Sequence, residues 1–477
     1  MASSRTKGGG CCFRSFTQVQ QKLCRVVSGQ CHGNSDNLLK CMIEGKHLIP
    51  EPKFPVVGSP LVHVDGNGAV TICSPLPTVA ANRRLYVLFV HQSSELYGSD
   101  KVLLLLVTQL QHRGFIHPVV VLPGPGLLLD RLVAAGIEVH VADVVKVSRA
   151  GFTPLGLLRS LSSMRRVLAA LDTVVAGRHI TLVHSNTLAV MAGALWSWRR
   201  RVPHLWHVHE IVLTPGFVSR IYPWLVRLLA DHVVANSDQT AQWMLGYQPK
   251  LAARCHIVFN GLPPAPPPEP ARYRLFRSGL GIEATDLLVS LVGRLNSWKG
   301  QGLLIEAAAL LRRQGRLGCI HIALVGDPPA GQEHWGSTLV AAAKRLGVAD
   351  RIHFIPFVED IDVVWGGTDI AVVPSTEPEP FGMVAVEAMH VGVPVVAAAH
   401  GGLLNIVQHG VNGLLFKPRD PVALADAIAR LADDPTWRRS LGAAGRLHQQ
   451  QQFSLERQVL AVERIYLSIA ARMAPEG

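Results

Sequence analysis

No stretch of about 18 uncharged apolar residues occurs in this 477-residue chain, so a membrane-spanning helix is not expected. The longest apolar runs, Val102–Val107 and Leu188–Trp196, have the length of a strand or a core helix. Cysteine is scarce beyond the start: six of the eight lie before residue 81, leaving Cys255 and Cys319. The spacings fit no zinc template, with neither a Cys-x-x-Cys pair nor a matching His pair. Two thiols in so long a stretch point to a reducing, cytoplasmic compartment. A Walker A loop and a GxGxxG fingerprint are both missing, which removes P-loop NTPases and dinucleotide oxidoreductases. The 43 Gly and 31 Pro follow no fixed period, which excludes collagen and coiled coils. Charged residues are only 17% of the chain against 48% hydrophobic, too apolar a balance for a chain disordered throughout.

What is present in excess is positive charge, net +12. It is unevenly placed: 8 Lys/Arg against 4 Asp/Glu in residues 1–80, 18 against 9 in 81–262, and 20 against 21 in 263–477. No aromatic-plus-basic repeat accompanies it, so nucleic acid is not an expected partner. Arg159, Arg165 and Arg166 on one predicted helix, with Trp196-Ser197-Trp198-Arg199-Arg200-Arg201, suggest an anionic partner such as acidic lipid headgroups. A solvated basic face with buried tryptophans fits those residues equally. Residues 1–83 lack periodicity and an apolar h-region, and are expected to form a disordered leader.

From Arg84 short apolar runs alternate with amphipathic segments. Leu85–Val90, Val119–Leu122, Val139–Ala142, Thr181–His184, His204–His207 and His232–Asn236 read as buried strands, and Lys101–His112 as a helix. Asn260-Gly261-Leu262-Pro263-Pro264-Ala265-Pro266-Pro267-Pro268 can continue neither helix nor central strand and reads as a linker. The pattern then restarts, with strands at Leu287–Val292, Ile320–Val325, Ile352–Ile355, Ile370–Val373 and Val395–Ala398 and helices at Gln301–Gln314 and Met383–His390. This predicts an α/β chain of two Rossmann-like, doubly wound parallel domains, 84–262 and 263–453, with a cleft between them as the ligand site. A final helix over 454–477 is expected to pack back across both.

Three segments carry candidate chemistry. Val292-Gly293-Arg294 ends a strand and Lys299-Gly300 opens the next helix. Two cations beside free helix N–H groups suit a phosphate, although a surface pair beside a turn is an equal reading. In Pro374–Met389, a strand ends, a proline-rich loop holds Glu377 and Glu379, and a helix begins near Gly382. Glu387 lies in that helix on an otherwise apolar face, where a carboxylate is costly unless donors such as ribose hydroxyls meet it; a salt-bridged core Glu is the alternative. Glu377 reads as a solvated loop residue. Trp206-His207-Val208-His209-Glu210 and His184-Ser185-Asn186 close two strands of the first domain; structural histidines and a plain strand-end turn remain open there.

Glu379 and Glu387 with seven residues between them resemble the E-x7-E signature of retaining GT-B glycosyltransferases, above all glycosyltransferase family 4. Gly293-Arg294 with Lys299-Gly300, Val325-Gly326-Asp327, Val258-Phe259-Asn260-Gly261 and Gly410-Val411-Asn412-Gly413 follow in that family's order, most strongly over 256–435. The resemblance implies a GT-B fold and metal-independent, retaining transfer of a hexosyl group from a nucleoside-diphosphate sugar, UDP- or GDP-linked. The acceptor would be a glycan or a lipid-linked molecule, in cell-surface polysaccharide or lipopolysaccharide synthesis, with no cofactor beyond the sugar nucleotide and no metal. Arg294 and Lys299 would hold the diphosphate, Glu387 the ribose and Glu379 the donor sugar. Backbone N–H groups at Phe381, Gly382, Met383 and Val384 would reach sugar and phosphate. Tyr97-Gly98-Ser99-Asp100 is similar to the family's glycine loop, with Ser99 where Gly is common, and His209 best matches its active-site histidine, His207 second. Gly401–Val407 has Leu and Asn where Pro and Glu are common, and Pro356 stands where Gly is frequent. Competing expectations are a GT-B nucleotide-sugar epimerase and a non-catalytic assembly protein that kept the fold.

Overall fold

In the computed structural model the described residues are 62–64, 70–72, 84–142 and 154–473, with the backbone alone at 62–64, 70–72 and 154–163. The expectation of a disordered leader lies largely outside them. Its one described feature is an antiparallel pair, β1 (Val62–Val64) with β2 (Val70–Ile72), which the sequence reading did not anticipate.

Two parallel sheets follow. The first holds β3 (Leu85–His91), β4 (Ile116–Leu122), β5 (Glu138–Val141), β6 (Leu182–Asn186), β7 (His204–Val208), β8 (His232–Ala235) and β9 (Cys255–Ile257), in the order 5-4-3-6-7-8-9. The second holds β10 (Leu287–Val292), β11 (Ile320–Val325), β12 (Ile352–Ile355), β13 (Ile370–Val373), β14 (Val395–Ala398) and β15 (Gly413–Phe416), ordered 12-11-10-13-14-15. Helices cover both faces, which is why these strands read as continuous Val/Ile/Leu runs rather than alternating ones. Strand order reverses beside β3 and beside β10, and such reversals open a crevice at the carboxyl ends of the strands. The loops after β3, β7, β10 and β13 all leave from those ends.

Departures from expectation are local. β4 starts at Ile116 and includes Pro118, tolerated because its neighbour β5 pairs only from Val119 onward. The short strands β9 and β15 carry too few residues to show a period. Two glycine-loop residues expected ahead of the helix, Gly98 and Ser99, form its first turn, the helix running Gly98–His112. A Cβ on Gly98 would meet nothing within 4 Å, so the turn itself does not demand glycine there.

The helix Pro435–Gln452 packs on the second domain, while the final helix, Leu455–Met473, lays Leu455, Val459, Val462, Ile465, Tyr466 and Ile469 into the core of the first sheet. The chain crosses between domains at Phe453–Leu455, beside the outgoing crossing at Gly261–Leu262. The Leu262 N–H donates to the Phe453 carbonyl at 3.0 Å, the Leu455 N–H to the Leu262 carbonyl at 2.8 Å, and the Gly261 N–H to Gln458 Oε1 at 2.9 Å. A Cβ on Gly261 would fall 2.3 Å from the Ser454 carbonyl oxygen. Gly261→Ala is therefore expected to lower unfolding stability by about 1–3 kcal/mol, the usual cost of forced overpacking, read from urea titration. An unchanged midpoint would show that the two crossings separate freely.

Candidate active site

The cleft between the sheets encloses about 1130 Å³ and is lined from both sides. On the second domain the loop after β10 carries Gly293 and Arg294, and Lys299-Gly300 leads into the helix Gln301–Arg313. Gly300 has φ +82°, and a Cβ there would lie 2.0 Å from the Pro374 carbonyl oxygen. Glycine thus lets this turn press against the end of β13, which brings Lys299 beside the loop holding Glu379. Lys299 Nζ is 2.7 Å from Glu379 Oε1, and the Ser375 hydroxyl donates to the same oxygen at 2.6 Å. Lys299 Nζ also stands 4.4 Å from the Trp298 ring centre. Gly382 then caps the helix Met383–His390, whose first backward bond is the Ala385 N–H to the Gly382 carbonyl. Met383, Val384 and Glu387 share its cleft side, while Ala385, Val386, Ala388 and Met389 are buried. Glu387 is accordingly at the cleft wall, its side chain 13% exposed, rather than sealed in the core.

The first domain supplies the facing wall. Lys101, in the first turns of Gly98–His112, reaches across so that its Nζ lies 2.9 Å from Glu387 Oε1. Burial opposes the Lys101 ammonium, but the Glu387 carboxylate outweighs it and holds the pKa above its ordinary value. Arg294 stacks on Tyr97, 4.0 Å from the ring centre, and pairs with Glu95. Ser237 and Thr240 hydroxyls donate to the Pro380 carbonyl, gripping the loop beside Glu379. At the first of the two departures, in Gly401–Val407, Asn405 accepts from the Asp238 N–H at 3.2 Å and donates to the Asp238 carboxylate. A glutamate at 405 would set two carboxylates face to face, so Asn suits this interface. At the other departure, the Phe357 ring following Pro356 packs 5.3 Å from Tyr97 across the cleft.

His209 lines the cleft and is 8% exposed. Its Nε2 lies 2.9 Å from Asn186 Oδ1, an acceptor only, so the proton sits on Nε2 and Nδ1 keeps its lone pair. Asn186 bonds His91, whose Nε2 donates to Asp100 Oδ1 at 2.7 Å. Burial works against the Asp100 carboxylate, yet the His91 bond keeps its pKa below the ordinary value. One buried chain of bonds therefore ties the glycine-loop helix to His209. Burial also holds His184, His207 and His209 well below the usual imidazole range, so all three are neutral near pH 7.

Of the residues singled out from sequence, Gly98, Ser99, His209, Gly293, Arg294, Lys299, Glu379, Phe381, Gly382, Met383, Val384 and Glu387 all line this one cleft, and exposed Glu377 lies at it. His207 is fully buried with its ring 4.1 Å from that of His209, and His184 points to Tyr466 OH at 2.5 Å. Neither reaches the cleft, and Asn186 acts from behind His209 rather than lining an acceptor site. Sequence reasoning gave Lys101 no role at the site, named Tyr97 and Asn186 without their partners Arg294 and His209, and missed the Ser237/Thr240 grip. A signal existed for Lys101: a lysine in the first turn of a helix opposes the helix dipole, which favours acids there. Among the described residues no group of three His, Cys, Asp or Glu is placed to hold a metal ion.

Comparison with known proteins bears on the family and the fold. Residues 274–448 match the model for glycosyl transferases group 1, and 97–265 that for Glycosyltransferase Family 4. A D-inositol 3-phosphate glycosyltransferase of Xylanimonas cellulosilytica is 34% identical over 312 residues, 61% of this chain and 72% of that protein. The chain belongs to the family 4 GT-B glycosyltransferases. A protein of the same name from Salinispora arenicola is 29% identical over 71% of this chain and 80% of its own length. The Anabaena protein Alr3699/HepE, solved with UDP and glucose, superposes with TM-score 0.69 at 28% identity, over 80% of this chain and 99% of that one.

Burial pushes the Glu210 carboxyl up to about 7, against bonds from the Leu188 and His209 N–H groups that oppose the shift. A folded-state pKa above the ordinary 4.5 favours the protonated form, so this group's contribution to stability is full in acid and lost as pH rises through about 7. Glu210→Gln should melt at or above the wild type near pH ~8, with the gap closing toward pH ~4. A gap that widens on acidification would show that Glu210 is ionised in the folded protein.

Proposed function

We propose that this glycosyltransferase moves a hexosyl group with retention from a nucleoside-diphosphate sugar, UDP- or GDP-linked, without a metal, to a glycan or lipid-linked acceptor in cell-surface polysaccharide or lipopolysaccharide synthesis. The observation that carries the reading is the meeting of Arg294, Lys299, Glu379, Glu387 and the Met383–His390 helix N-terminus in one cleft. Arg294 and Lys299 neutralise the diphosphate as it leaves. The free N–H groups of Met383 and Val384 and the dipole behind them act in the same direction. Glu387 takes ribose hydroxyls, exchanging its bond to Lys101 for them, and Glu379 orients the donor sugar from beneath Lys299. Neutral His209 lines the cleft without adding positive charge to the site. Support for the donor comes from Alr3699/HepE, solved also with UDP-glucose, at 27% identity over 82% of this chain.

The acceptor binds the first domain, whose net positive charge suits an anionic molecule or contact with an acidic membrane face. The curated relatives named for D-inositol 3-phosphate make a phosphorylated polyol a second candidate acceptor. A panel of UDP-, GDP- and ADP-sugars, scored by thermal shift and by hydrolysis with and without inositol phosphate, tests both. Isomerisation of the donor sugar without an acceptor would point to an epimerase, and absence of any turnover to an assembly role. Lys299→Ala should cut transfer on the order of 10²-fold or more, the scale of a lost electrostatic stabiliser, and wild-type turnover should survive EDTA. Full activity in Lys299→Ala, or an absolute divalent-metal requirement, would overturn the reading.

A further inference from the structure

Within the basic run at 196–201, Trp198 is 71% exposed and one carboxylate serves several residues. The Trp196 Nε1–H donates to Asp172, and Arg199 and Arg200 converge on the same carboxylate. A different surface of the first domain is unbalanced. The helix Gly216–Leu229 buries Ser219, Pro223 and Val226 against the sheet, yet its opposite side presents Ile221, Trp224 and Leu228 at 44%, 50% and 62% exposure. Leu213, just ahead of the helix, is 47% exposed. Their spacing at i, i+3 and i+7 makes one apolar stripe toward solvent, on a helix whose other side already packs Val226, Tyr222 and Leu229 into the core.

The chemistry around the stripe selects its occupant. Residues 211–230 contain Arg220 and Arg227, both exposed, and no Asp or Glu. An indole, large aliphatics and long guanidinium side chains that lift their charge to the rim form the composition of a helix lying in a lipid interface, and the uniform positive sign is complementary to acidic headgroups. A water-filled protein interface would be expected to balance those charges. The placement is also suited to a lipid-borne acceptor: Glu210 and Ile211 line the cleft, and the helix begins only at Gly216.

We propose that the exposed face of Gly216–Leu229 seats the protein on an anionic lipid surface, holding the cleft mouth at headgroup level. This rests on, and deepens, the membrane contact in the proposed function. Ile221, Trp224 and Leu228 enter the interface, while Arg220 and Arg227 meet lipid phosphates.

The test uses the full chain with phosphatidylcholine vesicles, with and without phosphatidylglycerol, followed by co-sedimentation and tryptophan emission. Wild type should bind the anionic vesicles with a blue shift. Trp224→Ser with Leu228→Ser should weaken partition at least ~10-fold, as expected for removing two buried apolar side chains. Arg220→Gln with Arg227→Gln should weaken it at low salt and leave little difference at high salt. Melting temperatures of both variants should match the wild type, since none of the four side chains is in the core. Donor hydrolysis measured without vesicles should be unchanged in both; its absence in the wild type would sink the donor reading and leave the docking result standing. The docking proposal is overturned if wild type ignores anionic vesicles, or if the apolar double variant binds them as well as wild type. It is equally overturned if that variant instead dissolves a wild-type dimer while vesicle binding is unaltered, which would make the stripe a contact with a second copy.

Discussion

A carboxylate placed in a narrow cleft must be met by a cation or by hydrogen-bond donors, because leaving it bare and dehydrated costs several kcal/mol. The architecture of this cleft follows from that constraint. Glu379 is met by Lys299, Glu387 by Lys101 and Glu95 by Arg294. The last two pairs join residues of different domains, so the charges needed for a polar ligand also hold the two sheets face to face. A ligand that brings its own hydroxyls and negative charge does not fill an idle space. In the function proposed above it would exchange partners with groups that are already paired, two of those pairs lying across the domain interface. The grips without an ion pair, Ser237 and Thr240 on Pro380 and Asn405 on Asp238, involve no such competition and can persist through the exchange.

The two walls are built differently. The second domain positions its groups through turns and helix ends, where Gly300 allows a backbone approach no other residue would permit. The first domain positions His209 through a train of buried side chains, Asp100 to His91 to Asn186, that begins in the glycine-loop helix. Movement of that helix against the sheet would therefore be felt at His209 through hydrogen bonds rather than through packing. Such networks are sensitive to the loss of any member, since each buried polar atom depends on the next.

Most of the second domain was legible in sequence because its strands are buried on both faces and its site residues sit at strand ends, within a few residues of glycines. β10 through β14 were bounded correctly from their apolar runs alone. The first domain was less legible at its site. Asn186 and His91 carry no local pattern, and their meaning comes from β6 and β3 lying side by side, which sequence separation conceals. His184 and His207 look like site residues because they lie close to strand ends, but both sit within strands covered by helices on each face, whereas His209 stands one residue past the end of β7. Glu387 was expected to need donors, and it has one; that the donor comes from the other domain could not be read from a helix considered alone.

The paired crossings at Gly261–Leu262 and Phe453–Leu455 have a consequence for the order in which the molecule can be made. The last helix fills the core of the first sheet with Leu455, Val459, Val462, Ile465, Tyr466 and Ile469. The second domain is thus threaded into the chain between the first sheet and the helix that completes it. During synthesis the first sheet emerges early yet stays open along one flank until the helix Leu455–Met473 follows, whereas the second domain has all of its strands in hand beforehand. The first sheet is thus completed by a helix that follows the whole second domain in the chain.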